Sequence, residues 1–154
     1  MTTHTLTLPY PVSANRYWRS FVPRGGNRAI TVVSDEAKAY REECAWRAMA
    51  AGLRPLKGRV LLELWLYPHR PQDWQRRQRL DPETWDDSVQ CIDLGNCEKV
   101  LSDALNGIAW EDDKQHRKII KERMEPDEHG ARVVIRVSQV AAKTVAPQLF
   151  AEAS

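Results

Sequence analysis

The sequence predicts an α/β (α+β) protein, a small single domain built on a mixed sheet of about four strands with two main helices. Three observations carry that prediction. The run "RVLLELWLY" alternates apolar residues at Val60, Leu62, Leu64 and Leu66, which is a strand period. Two longer segments, one behind Ser34 and one behind Asp93, carry apolar residues at helical spacing and open on cap residues. With 154 residues, 42% apolar and 29% charged, the chain has material for one hydrophobic core and too little for two comfortable ones.

The elements follow in order. Thr and Leu alternate from His4 to Leu8 until "PYP" stops the strand. The stretch "VSANRYWRSFVPRGGNRAITVVS" reads as a long loop or loose hairpin around Gly25-Gly26. Ser34 then precedes "DEAKAYREECAWRAMAAGL", in which acids open a helix, Gly52 closes it, and Ala37, Tyr40, Cys44 and Ala48 share one side. The strand at 59–67 is read as central because Leu61 and Trp65, between the alternating positions, are apolar as well. Residues 68–90 are polar and proline-containing and read as an insertion on the sheet edge, with a short helix around Asp73 to Arg79. From Asp93 to about Asn106, Leu94, Cys97, Leu101, Ala104, Leu105 and Ile108 fall in one sector; Asn96, Lys99, Asp103 and Asn106 fall on the opposite side. "QHRKIIKERME" and "ARVVIRVSQV" are two strands joined by a turn at Pro126 to Gly130. The expected organisation is a domain over 1–138 carrying the insertion at 68–90, then a flexible tail over 139–154.

Net charge is +2, too mild to establish a polyanion partner by itself. Its distribution is more telling. Basic residues gather at Arg16, Arg19, Arg24 and Arg28, at Arg70, Arg76, Arg77 and Arg79, and at Lys114, Arg117, Lys118 and Lys121. Three such clusters suit either one nucleic-acid surface or a solvated mixed-charge surface. Cys44, Cys91 and Cys97 are odd in number and lack paired short spacings, which argues against a disulfide framework or a zinc knuckle and fits a reducing compartment. No apolar run approaches the ~20 residues of a membrane span, and "MTTHTLTLPYP" lacks the basic and apolar regions of a signal peptide. A cytoplasmic protein with no membrane partner is expected.

Carboxylates bracket the second helical segment: Asp93 before it, Glu111, Asp112 and Asp113 after it. Asp93 has a simple job available as an N-cap, worth ~1 kcal/mol. Converging carboxylates from a helix start and a strand start also suit Mg²⁺, which takes one or two protein carboxylates plus phosphate oxygens. Lys99, on the polar side of the same helix, has the charge to stabilise a phosphoryl group. Capping with surface solvation, or a metal site, both satisfy this spacing.

A resemblance separates them. "DLGNCEKVLSDALNG" followed by "WEDDKQ" resembles the core signature of the RusA-type Holliday junction resolvases: Asp-x-Asp-Asn-x-x-Lys, then Asp-Ala-Leu-Asn-Gly, then an Asp pair. "LPYPVSANRYWR" resembles that family's opening strand, and "ITVVSDEAKAYRE" its first helix entry, so the likeness covers Leu6 to Arg136. It implies a RusA-like fold and a homodimer. It also implies a Mg²⁺-dependent endonuclease (Mn²⁺ as substitute) that resolves four-way DNA junctions by paired nicks, leaving 5′-phosphates, in recombination and repair in a bacterial or prophage setting. On this likeness the catalytic residues are Asp93, Lys99 and Asp113, and the metal is held by Asp93, Asp113 and Asp112.

The family's second acid falls on Gly95 here. Asp86, Asp87 and an inward-turned Asp112 are the replacements in reach, and Asp103 is expected to form surface contacts. DNA binding is assigned to phosphate contacts by Arg16, Arg19, Lys114, Arg117 and Lys118, with Tyr17 and Trp18 either stacking on unpaired bases or packing in the core. Two other readings stay open: a branched-DNA-binding protein with a weakened site at Gly95, and a general metal-dependent nuclease acting on flaps.

Overall fold

A computed structural model describes residues 2–145. Its main sheet has the order β1-β6-β4-β5, formed by Thr3–Pro9 (β1), Arg132–Val140 (β6), Arg59–Tyr67 (β4) and His116–Arg123 (β5). A separate hairpin pairs Trp18–Phe21 (β2) with Ile30–Val33 (β3). Four α-helices complete the described fold: Ala14–Tyr17 (α1), Asp35–Ala50 (α2), Trp74–Leu80 (α3) and Leu94–Ala104 (α4).

β4 is central, as its two-sided apolar pattern predicts. Val60, Leu62, Leu64 and Leu66 are at most 1% exposed and face the helices. The core behind them includes Ala37, Tyr40, Cys44 and Ala48 from α2, and Cys97, Val100, Leu101 and Ala104 from α4. The opposite face holds Glu63, whose carboxylate accepts 2.5 and 2.9 Å bonds from the Arg136 guanidinium on the neighbouring strand. That guanidinium holds the Glu63 carboxyl below its usual range. Burying one face and capping the other with paired charge is how a predominantly antiparallel sheet tolerates water on one side.

Three expectations need correction. β5 and β6 follow each other in the chain but do not pair, because β4 lies between them, antiparallel to β6 and parallel to β5. The reason is burial: Val133, Ile135 and Val137 of β6 are fully buried and need neighbours on both sides, whereas Arg117, Lys118, Lys121 and Glu122 suit β5 to an edge. The ordered domain runs past residue 138, since β6 ends at Val140 and Gln139 N–H donates to the Thr2 carbonyl. Residues 146–154 of the expected tail lie outside the described residues. The region of 12–34 is indeed a hairpin, but it contains a single helical turn, α1, too short to leave a periodic signature.

Strand directions set where the site residues go. β1, β4 and β5 point the same way, since β6 is antiparallel to both β1 and β4. Pro9, Tyr67 and Arg123 therefore share one end of the sheet, and Thr3, Arg59 and His116 share the other.

Candidate active site

Asp93 stands at the Pro9–Tyr67–Arg123 end. Its backbone is extended (φ −70°, ψ 156°), and its Oδ1 accepts the Asn96 N–H at 2.7 Å, so it is the N-cap of α4. Around it the chain is cross-linked: Ile92 N–H donates to the Tyr10 hydroxyl at 2.7 Å, and Ala14 N–H donates to Asn96 Oδ1 at 2.7 Å. Burial raises the Tyr10 hydroxyl to about 12, so it stays a neutral donor and acceptor. The Asp93 side chain itself is exposed. A cap occupies one lone pair of one carboxylate oxygen, so capping and ligand binding are compatible in this residue.

The polar face of α4 is docked rather than solvated. Asn96, Lys99 and Asp103, spaced at three and four residues, each meet the segment 14–18: Asn96 meets the Ala14 amide, Asp103 takes the Tyr17 hydroxyl, and Lys99 Nζ lies 4.8 Å from the Trp18 ring centroid. Tyr17 is 0% exposed, which corrects its assignment to the DNA surface: its ring is core and its hydroxyl is spent on Asp103. Burial, then the Asp103 carboxylate, raise its ionisation far above the ordinary tyrosine value. Asp103 correspondingly is half-buried and structural, not a surface contact. Trp18 is half-buried with its ring 4.4 Å from that of Tyr17 and its face toward Lys99. Only the 96/99/103 spacing hinted at this docking; nothing in the sequence showed what would cover it.

A cleft of about 880 Å³ opens in front of Asp93. One wall carries Tyr10, Val12 and Arg16; the other comes from the insertion and carries His69, Arg77 and Gln90. The insertion is a built wall. Trp85 is buried and its Nε1 donates to Glu125 at 2.9 Å, while Arg123 Nη2 donates to the carbonyls of Asp86 (2.7 Å) and Val89 (2.8 Å). Arg77 pairs with Asp73 at 2.9 Å and its Nη1 donates to the Ser88 carbonyl and hydroxyl at 3.3 Å, leaving its side chain partly exposed, while Arg16, paired with Glu36 at 2.7 Å, is mostly exposed. Asp86 and Asp87 sit in the one-turn helix Trp85–Ser88 of that wall.

The second acid group is built differently. Asp112 caps the short turn Asp113–Gln115: its Oδ1 accepts the Lys114 N–H at 2.8 Å, which holds its carboxyl below the usual range. Gln115 locks the turn, accepting from the amides of Glu111 (2.7 Å) and Asp112 (2.9 Å) and donating to the carbonyls of Leu56 (2.7 Å) and Gly58 (3.0 Å). Next to it His116 lies edge-on to Trp110 with centroids 4.3 Å apart. This turn precedes β5 and touches the residues that precede β4, so it belongs to the Arg59–His116 end of the sheet.

The two groups therefore do not converge within one chain. The rows from Val60/His116 to Leu66/Arg123 lie between them, roughly 20 Å at ~3.3 Å per residue. Mg²⁺ ligands sit ~2.1 Å from the ion, so Asp93 and Asp113 of one chain cannot share it. Among the described residues no three His, Cys, Asp or Glu side chains gather into a metal-holding group. The expectation of a helix start beside a strand start is corrected by the parallel pairing of β4 and β5, which sends α4 the length of the sheet. Asp86 and Asp87 do not rebuild a three-acid set. At Gly95, an added Cβ would meet only Asp93 Oδ1, at 3.5 Å, within a 4 Å radius.

The expected DNA contacts are likewise split. Arg16 lines the cleft, and Arg19 stands on the β2 hairpin with its guanidinium 5.2 Å from the Phe21 ring. Lys114 is in the Asp112 turn, Arg117 is exposed at the start of β5, and Lys118 lies on the open sheet face, close enough to lower the Glu63 carboxyl. No described helix is long and apolar enough to cross a membrane.

Comparison with known proteins bears directly on this arrangement. The family model for endodeoxyribonuclease RusA matches residues 9–138. The crossover junction endodeoxyribonuclease RusA of Escherichia coli K12 is 33% identical over 116 residues, 75% of this chain and 78% of the relative. The enzyme of the same name from Enterobacteria phage 82 is 32% identical over the same shares, and that of Shigella sonnei 31%.

Proposed function

The chain belongs to the RusA endodeoxyribonuclease family, and from that premise we propose that it is a Mg²⁺-dependent endonuclease, with Mn²⁺ as substitute, that resolves four-way DNA junctions by paired nicks. It acts as a homodimer. The observation that carries this reading is the position of Asp93: an exposed carboxylate, fixed by its cap bond, at the foot of a cleft whose walls bring Arg16 and Arg77. A cleft with cations on both walls and a hard oxygen donor at its foot suits a phosphodiester backbone.

Each local group has a role on this reading. Asp93 would contribute to the metal site, with Asp112 and Asp113 as further acids only where a second copy brings them to it, since one chain holds them at the opposite end of the sheet. The ion, when bound, supplies a polarised phosphate and a more acidic water. Lys99, held against the Trp18 face, offers a fixed positive charge on the face of α4 that follows Asp93. Arg16 and Arg77 position the backbone, which fits reading of branched shape rather than base sequence.

A second reading rests on Gly95. With a glycine where the family motif has an acid, and no three-acid group among the described residues of one chain, the protein is a branched-DNA-binding member with weakened catalysis. Strand cleavage of a synthetic mobile four-way junction in Mg²⁺ decides between them. Paired nicks by wild type, absent with Asp93→Asn, support the nuclease; junction binding without cleavage in Mg²⁺ or Mn²⁺ supports the binding protein.

A further inference from the structure

We propose that the β2–β3 hairpin is a DNA-binding arm whose apolar face seats bases left unpaired where the strands of a junction exchange. This rests on the DNA reading above and deepens it, by naming the element that tells a branch from a plain duplex.

The hairpin is anchored at its root and exposed along its length. Trp18 and Val33 pack against the core, the Ser34 N–H donates to the Tyr17 carbonyl at 2.8 Å, and Ser34 Oγ donates to the Arg16 carbonyl at 2.6 Å. From Arg19 to Thr31 every residue but Pro23 is exposed. A two-stranded ribbon is marginally stable alone, yet this one shows apolar side chains to water: Phe21 is 39% exposed, Val22 57% and Ile30 42%. Scattered apolar residues on a surface are ordinary, but a group of them on an element that buries little marks a binding surface.

The register gathers this group onto one side. Phe21 lies opposite Ile30 and Arg19 opposite Val32, and residues two apart on a strand share a face. Arg19, Phe21, Ile30 and Val32 therefore form one surface, with the Arg19 guanidinium 5.2 Å from the Phe21 ring centroid. The other side carries the Ser20 and Thr31 hydroxyls, 2.8 Å apart. At the foot of the apolar face is a hollow of about 470 Å³, bounded by Asp35 and Lys38 of the first turn of α2, themselves 3.8 Å apart. An aromatic ring beside aliphatic groups and a guanidinium is a setting in which any base stacks, because every base has a π-face.

Charge and position choose the occupant. The first 34 residues contain Arg16, Arg19, Arg24 and Arg28 and no acid. Among the described residues Arg19, Arg24 and Arg28 have no ion-pair partner. Arg24 is held at the tip by a tight turn, in which the Gly26 N–H donates to the Pro23 carbonyl at 2.9 Å and Gly25 takes φ 81°. Unpaired cations beside an apolar face favour a polyanion that also offers flat apolar groups. An anionic membrane shares that chemistry, and position decides for DNA. Arg16 lines the cleft in front of Asp93, and Trp18, the first residue of β2, faces Lys99 on α4. A strand in that cleft meets the root of the arm, and β2 carries Phe21 about 10 Å farther along.

Binding measured apart from cleavage tests the arm. Wild type, Phe21→Ala, Phe21→Tyr and the double variant Arg24→Gln/Arg28→Gln are titrated in EDTA against a four-way junction and a linear duplex of matched sequence, with 2-aminopurine at the branch point as a reporter of stacking. All are expected to melt like wild type, since the altered side chains are exposed. Phe21→Ala should lose about tenfold in junction affinity, keep its duplex affinity, and abolish the 2-aminopurine response that wild type and Phe21→Tyr give. The arginine double variant should weaken both substrates alike and flatten the dependence of log affinity on log salt by about two. Wild-type junction affinity in Phe21→Ala, or an equal loss on junction and duplex, overturns the arm as the reader of branches. An unchanged salt slope in the double variant overturns its phosphate contacts. Binding to phosphatidylglycerol vesicles that Phe21→Ala loses while its junction affinity stays intact gives the face to lipid, and overturns the proposal too. A wild type that binds neither DNA refutes the underlying DNA reading, an outcome distinct from all of these.

Discussion

The two acid stations at opposite ends of the sheet use the same local device and differ in what surrounds it. Asp93 and Asp112 each accept a backbone amide at the start of a helical turn, at 2.7 and 2.8 Å. Asp93 is then tied through Asn96 to α1 and faces a walled cleft. Asp112 is tied to the body of the protein through one side chain, Gln115, and looks into solvent. A cap is thus no evidence against a working carboxylate. It fixes the carboxylate's direction while leaving oxygen lone pairs free, and the tertiary surroundings determine what those lone pairs meet.

The largest expected effect comes from separating the cap from the charge at Asp93. Asn caps a helix about as well as Asp, so Asp93→Asn should leave the melting temperature unchanged while lowering junction cleavage on the order of 100-fold or more, as expected for removal of a metal ligand. Equal loss of stability and activity would mean that Asp93 serves only as a cap. At the other station the weak point is Gln115. Gln115→Ala removes four hydrogen bonds, which at a net ~0.5–1.5 kcal/mol each and with partial replacement by water should destabilise the protein by about 2 kcal/mol in urea unfolding. Cleavage should fall with it while junction affinity holds, because the turn that aims Asp112 and Asp113 loosens. An unchanged cleavage rate would detach that turn from the chemistry.

How much of this was legible in the sequence depends on range. The Ser34 and Asp93 caps, the two long helices and the central strand were legible because they are set by neighbours within about one turn or by a two-residue period. Strand order was not: the Pro126–Gly130 turn looks like a hairpin connection, and only the burial demands of Val133, Ile135 and Val137 place β4 between β5 and β6. That one misreading carried the error about the site, since the parallel β4–β5 pair is what puts Asp93 and Asp113 at opposite ends. Tyr17 was misread for a related reason. Its neighbours Arg16 and Arg19 are polar, and its burial is decided by Asp103, 86 residues away.

Smaller effects sharpen the contrast at each end. Tyr17→Phe leaves the half-buried Asp103 carboxylate without its donor and should cost about 1–3 kcal/mol, with junction affinity unchanged; a loss of affinity at constant stability would return Tyr17 to the DNA surface. Gly95→Asp tests the missing acid. The space beside Asp93 accepts a Cβ without clash, and a second carboxylate there should lower the Mg²⁺ concentration for half-maximal cleavage about tenfold, equivalent to ~1.4 kcal/mol. No shift in the Mg²⁺ titration would mean that Asp93 is not at the ion.

The smallest effect is a pH dependence belonging to the Asp112 end. His116 has its Nε2 buried with no hydrogen-bond partner, and burial depresses its ionisation below 6.5, opposed in part by the nearby Asp113 and Glu98 carboxylates. A group with a depressed folded pKa binds protons more readily when the chain unfolds. Its contribution to stability is therefore present above about pH 6.5 and is lost as pH falls through the unfolded value toward the folded one. Wild type should lose melting temperature between pH 7 and pH 5 more steeply than His116→Phe, which keeps the aromatic edge against Trp110 and cannot titrate. Because Asp113 stands among the groups facing this imidazole, Asp113→Asn should steepen the wild-type slope: without that carboxylate the imidazolium is harder to accommodate. A slope indifferent to Asp113 would place its charge away from His116, and with it the aim of the whole turn.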